Sequence, residues 1–274
     1  MTDYRAIAEG LKLPCIPFDE MATLLGQFWL VEPIPDVPYH YTLTTCPEIG
    51  HDIYEVVISG FVCKSMINPP KRFIAVCELL EGEMNLQVGE HHFRAWPGEL
   101  PPMVFSNVAK DEIQNIFRFE NLKMRFFNVS LDDSLVALED AHMLTSTMIS
   151  EYNLSFTQVY EAINVYKGLG PLKPLSSCAL SGRANELEEI CVLLSNFAKG
   201  DYSLKKYAYS IDASIPSVSK KLIAGKKVSD WAKIYKIQLW KLHRDTMDAS
   251  ELSHLLGYSN PGKMKDFLKR VGEI

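Results

Sequence analysis

The side chains with the most chemistry to offer lie near the end of the chain. Asn260, Lys263, Lys265, Lys269 and Arg270 share one short stretch of helical pattern, and a sparser set, Ser217, Ser219, Lys220 and Lys221, precedes it. Hydrogen-bonding side chains on a protruding helix suit base edges in a major groove, while Lys and Arg at its margins suit phosphates. Asn260 and Lys263 are the expected base-edge contacts; Lys269 and Arg270, late on the helix, are either phosphate contacts or solvated. Ser214 and Ser259 are expected to cap their helices, leaving backbone N–H groups and a positive dipole end near an approaching phosphate.

Other chemistries find little support. There is no phosphate-cradling Gly-rich loop, nucleophile elbow or HExxH. His91 and His92 are adjacent and would point to opposite faces of a strand, His40 and His51 are isolated, and Glu83 completes only a loose set. No catalytic residue, metal or cofactor is expected, and the chain is not read as an enzyme. The six cysteines form no CxxC pair, which favours free thiols in a reducing compartment, with the cytoplasm as the expected location.

The elements that must hold these side chains are two short helical units of like design. Leu204, Tyr207, Ala208 and Ile211 line a helix, a joint follows at Asp212-Ala213-Ser214, and Ile215, Val218 and Leu222 line the next. Then Leu252, Leu255 and Leu256 precede a joint at Gly257-Tyr258-Ser259, after which Met264, Phe267, Leu268 and Val271 form an apolar face. Residues 228–244 carry Val228, Trp231, Ile234, Ile237 and Leu242 at nearly helical spacing and predict one connecting helix. Each unit has the economy of a helix-turn-helix.

Upstream, residues 39–129 read as short strands, with turns expected from Glu81-Gly82-Glu83, across Val88-Gly89-Glu90-His91, and at Trp96-Pro97-Gly98-Glu99. So many short strands should close into a barrel or pack as a sandwich. Phe73, Phe93, Trp96 and Phe105 are either lining for an effector pocket or ordinary core. Helices are expected over 131–167, capped at Ser130 or Asp132 and at Ser155, and Phe156, Val159 and Ile163 either form a two-fold seam in a homodimer or pack inward. The Gly-, Pro- and Ser-rich segment 168–184 reads as a linker, separating a domain over 1–167 from one over 185–274.

At 274 residues, 47% hydrophobic and 23% charged, the composition excludes collagen-like, coiled-coil and wholly disordered chains. No apolar run approaches the ~18 residues that span a bilayer, and no export signal is visible at the N-terminus. The net charge of -6 hides a division: from Lys199 onward there are 15 basic and 8 acidic residues, a net of +7, on an otherwise acidic chain. A basic domain of this kind attracts polyanions.

The paired units joined by one helix resemble the DNA-binding region of the AraC/XylS family of transcription regulators. The most specific stretch is Ala249 to Gly272, ASELSHLLGYSNPGKMKDFLKRVG, with its Gly-Tyr-Ser turn, Phe267-Leu268-Lys269 and closing Gly272. Asp212 replaces a common glycine, Lys236 a frequent arginine, Trp240 a small residue and Met264 an aromatic. The resemblance implies a two-domain chain: an N-terminal cupin-like β-barrel with flanking helices, and a C-terminal all-α domain of two helix-turn-helix units joined by a long helix. It further implies double-stranded DNA as partner, an activator role through RNA polymerase, homodimers, and an effector, small molecule or protein, at the first domain. Two alternatives stand beside it: a protein-docking regulator on a degenerate helix-turn-helix scaffold and, less favoured, a cupin-class enzyme.

Overall fold

The computed structural model describes residues 29–38, 40–50, 52–65, 74–88, 91–106, 115–129, 135–168 and 180–274. They divide into two compact units, Met1–His142 and Met143–Ile274.

The first unit is an antiparallel sheet of β1 (Trp29–Pro33), β2 (His40–Thr45), β3 (Ile53–Ser59), β4 (Phe61–Ser65), β5 (Ile74–Val88), β6 (His91–Ala95), β7 (Met103–Ser106) and β8 (Asn115–Asn128). β8 is the centre. One of its edges pairs with β5 along its whole length; the other pairs with β4 through its first half and β3 through its second. β1 and β2 flank β4 and β3, while β6 and β7 flank β5. Among the described residues the ladders form an open sheet, and no pairing closes a barrel.

The expected turn at Glu81-Gly82-Glu83 is instead a bulge inside one long strand. Register against β8 shifts on both sides of Glu81, and Gly82, at φ 86, takes a left-handed conformation that admits the extra residue without ending the pairing. β8 is likewise one long strand where short ones are expected. Val88 pairs with His91 as the expected hairpin requires, although Gly89 and Glu90 lie outside the described residues. The turn at Trp96 forms, with Glu99 N–H donating to Trp96 carbonyl at 3.3 Å.

Alternation along these strands sorts the faces. Leu43, Val56, Ile58, Ala75, Cys77, Leu122, Met124 and Phe126 form one buried apolar cluster. On the other face, Lys123 pairs with Glu55 at 3.1 Å and Arg125 with Glu78 at 3.5 Å. Burial pushes the Cys46 thiol up to about 11 and holds Cys77 higher still; both are free.

α1 (Leu135–Ser150) spans the division between the units. It stops where Asn153 adopts a left-handed φ of 51 and Leu154 N–H reaches back to the Met148 carbonyl. Ser155 then starts α2 (Phe156–Gly168) with a capping box: Gln158 N–H donates to Ser155 Oγ, and Ser155 N–H to Gln158 Oε1. Ser130 and Asp132 lie outside the described residues.

α2 bears on two expectations. Phe156, Val159 and Ile163 are at most 1% exposed within a single chain, and Tyr160, Glu161, Ala162, Val165 and Tyr166 are buried as well. Those apolar side chains pack inward, the second of the two alternatives, while Thr157, Gln158, Asn164 and Lys167 stay partly exposed. The helix packs on α3 (Leu180–Ala198) and on the connecting helix, so it belongs with the C-terminal unit and the division falls before it, at His142. Residues 180–184 of the expected linker are the first turns of α3; residues 169–179 lie outside the described ones.

Candidate nucleic-acid interface

Five helices follow α3: α4 (Leu204–Ser210), α5 (Ile215–Lys220), α6 (Val228–His243), α7 (Ala249–Leu255) and α8 (Pro261–Val271). α4 packs on α5 and α7 on α8, giving two short-helix pairs with α6 between them in the chain.

In the first pair, Ser203 caps α4 and Ser214 caps α5, the latter accepting from Ser217 N–H at 3.3 Å. Asp212 makes the joint at φ 49. Only Val218 of α5 is buried. Ile215 and Leu222, expected to line it, are 45% and 58% exposed; Leu222 lies beyond the helix, which ends at Lys220 before a two-residue hairpin at Ala224 and Gly225. That hairpin is pinned from outside: Ala224 N–H donates to Glu186, Lys221 pairs with Glu189, and Trp231 Nε1 donates to the Ile223 carbonyl. Lys221 is therefore tied to α3 and not free for a phosphate. Ser219 donates its hydroxyl to the Pro216 carbonyl. Ser217 and Lys220 remain as the exposed, unengaged side chains of the expected set.

In the second pair, Asp248 caps α7 by accepting from Ser250 and Glu251 N–H. The cap of α8 is Asn260, whose Oδ1 accepts from Lys263 N–H at 3.0 Å; Ser259, expected in that role, is one residue too early because Pro261 occupies the first helical position. Asn260 is exposed, and its Oδ1 already accepts from the helix, so a two-point contact with adenine would have to share that oxygen. Met264, Phe267 and Leu268 form the buried stripe of α8. On its outer face Lys263, Lys265, Lys269 and Arg270 are all exposed, and among the described residues none has an ion-pair partner. Gly272 ends the helix at φ 78.

α6 fixes the pairs to the core. Trp231, Tyr235, Leu239 and Trp240 are buried. At its end His243 Nε2 lies 2.9 Å from Glu161 Oε1 of α2, and both side chains are buried. Sequence spacing held no sign of this pair, nor of a second cluster two turns earlier on the helix: Lys236 Nζ lies 4.3 Å from the Tyr202 ring centre and 4.2 Å from that of Tyr258. Tyr202 donates its hydroxyl to the Leu255 carbonyl at 2.9 Å and stacks on Phe197. Only the substitution of lysine for a frequent arginine at Lys236 set that position apart in the sequence.

Of the residues offered as an effector pocket, the described side chains are those of Trp96 and Phe105. Phe73 lies outside the described residues, Trp96 is 41% exposed on a turn, and Phe105 packs against the sheet core. Phe93 sits on β6 opposite Leu86. Among the described residues no three His, Cys, Asp or Glu converge as a metal site, and no described helix is long and apolar enough to cross a membrane.

No family model matches the chain, and no curated protein matches it. Among solved structures the chain is similar to the crystal structure of the AraC-like transcriptional activator CuxR, at 12% identity and a TM-score of 0.34, over 78% of this chain and 94% of that one.

Proposed function

We propose that this chain is a sequence-specific DNA-binding transcription regulator, with α7 and α8 as the reading unit and α4 and α5 as a supporting one. The observation that carries this is α8: four exposed cations without acid partners among the described residues, on a helix whose orientation a buried stripe fixes. Duplex DNA rewards that arrangement through its phosphates, and Lys263, at the start of the helix, is placed where recognition helices meet base edges. Under this reading the protein works in the cytoplasm without a catalytic role, the sheet unit is its regulatory part, and activation follows the AraC/XylS habit.

The test is selection of bound fragments from a random duplex pool by the full chain, followed by comparison with a Lys263→Ala, Lys265→Ala double variant. Enrichment of one motif that the double variant loses is expected; equal binding by both forms overturns the role of α8. A second reading has one observation in its favour. Tyr209, Ile215 and Leu222 expose 86%, 45% and 58% of their surface on the first pair, as a protein-docking face would. Copurification of a regulator without DNA, lost on Tyr209→Ser, would favour it.

A further inference from the structure

A cleft of about 450 Å³ opens between α6 and α8, within the range of small-molecule sites. Lys233, Lys236 and Arg270 bring three cations to it, and among the described residues no carboxylate lines it. Its remaining walls are Tyr202, Tyr258 and Phe267, with Ser229, Ala232 and Val271. We propose that this cleft binds a small organic anion with a flat apolar body, whose charge meets Lys236 and Arg270 and whose body lies against the aromatic walls.

Three observations favour that occupant. The first is charge: Lys233 is paired with Asp230 at 3.2 Å, whereas Lys236, between the Tyr202 and Tyr258 rings and beside Gly257, and Arg270 have no ion-pair partner among the described residues, so two positive charges reach the cleft without an acid partner. The second is the wall: the Tyr258 and Phe267 rings pack on each other with centres 5.5 Å apart and together give the cleft an apolar patch, which a lone inorganic ion would leave unused. The third is rigidity. Tyr202 is anchored by its hydroxyl to the Leu255 carbonyl, and a Cβ on Gly257 would come within 2.9 Å of it, so this side of the cleft is formed before any ligand arrives. A phosphodiester backbone would satisfy Arg270 but brings no apolar body to the rings. Burial also lowers the Lys236 ammonium to about 8, so an arriving anion would favour its protonated form.

The amine itself reports occupancy. Pyridoxal 5′-phosphate, an aromatic aldehyde with an anionic arm, condenses with an unprotonated lysine to an imine and water; borohydride delivers hydride to the imine carbon, and a solvent proton completes a stable secondary amine that mass spectrometry maps. On the full chain at pH 8, Lys236 is expected to be modified at least tenfold faster than Lys220 or Lys265. 2-Naphthoate should slow that modification at least fivefold, while 2-naphthylmethylammonium should not. Arg270→Gln should weaken the protection by naphthoate but leave reductive methylation of Lys236 by neutral formaldehyde at its normal rate, which separates loss of the anion site from loss of the fold. Uniform labelling, indifference to naphthoate, or protection by duplex DNA alone would overturn the proposal.

Discussion

A Cβ on Gly257 would stand 2.9 Å from Cδ2 of Tyr202, so the joint between α7 and α8 is shaped by a side chain from the loop between α3 and α4. Gly257 also holds a φ of 74, which an L side chain adopts at a cost. Gly257→Ala is therefore expected to destabilise the chain by about 1–3 kcal/mol, seen as a lower midpoint in thermal unfolding. Adding Tyr202→Ala removes the clash but not the strained φ. The double variant should then lose less than the sum of the two single losses; simple additivity would mean that the two residues do not meet.

Asn260 separates capping from reading. Asn260→Ala removes the acceptor for Lys263 N–H and should cost about 1 kcal/mol of stability. Asn260→Ser restores a capping oxygen of different reach. Because the amide oxygen already serves the helix, serine is expected to restore both stability and DNA affinity, measured by chemical unfolding and by fluorescence anisotropy. Recovered stability with a relaxed base preference would instead make Asn260 a reader through Nδ2.

The parts of this architecture that were legible in the sequence are those with local signals. Ser155 with Gln158, Ser214 before a proline-containing turn, and the Met264, Phe267, Leu268 stripe each announce themselves within four residues. The rest depends on partners distant in the chain. Gly82 between two glutamates reads as a turn, and only the continuous pairing of β5 with β8 reveals a bulge. Phe156, Val159 and Ile163 look like one apolar face, yet whether the opposite face is also covered is decided by α3 and α6. The surroundings of Lys236 come from Tyr202 and Tyr258, on either side of it in sequence, and no periodicity connects them.

The exposed lysines of α8 carry a quantitative expectation. Each phosphate contact removed should flatten the dependence of log affinity on log salt by roughly 1. Lys265→Ala and Lys269→Ala are each expected to show such a change with little effect on sequence preference. Lys221→Ala should leave the slope alone, because that ammonium is held by Glu189. Affinities measured between low and moderate salt decide it; an unchanged slope for both α8 variants would place the phosphate contacts elsewhere.

The pair between Glu161 and His243 lies in a buried environment where removing one partner leaves a polar group stranded. Glu161→Ala should cost about 3–5 kcal/mol, while Glu161→Met with His243→Leu, which removes both partners, should cost far less. Urea unfolding of the three chains measures the difference. An equal loss in the single and double variants would assign the effect to packing alone.

Lys236 gives stability a pH dependence of its own. Its ammonium ordinarily titrates at 10.5 and burial lowers it to about 8, so the folded chain opposes the charge. Below about 8 the lysine is protonated folded and unfolded, and the cost is present in full. Between about 8 and 10.5 the unfolded chain binds a proton that the folded chain has released, so this contribution to stability rises with pH. The buried thiols work the other way, since Cys46 and Cys191 are pushed up to about 11 and about 12 and their unfolded forms ionise first. The lysine's part must be taken as the stability of the natural chain minus that of Lys236→Met, which keeps the stem and the thiols. That difference should climb from pH 8 to pH 10 in urea titrations. If it stays flat, the faces of Tyr202 and Tyr258 hold the proton on the ammonium against the cost of burial, and the cluster is a cation–π clamp that stays charged over this range.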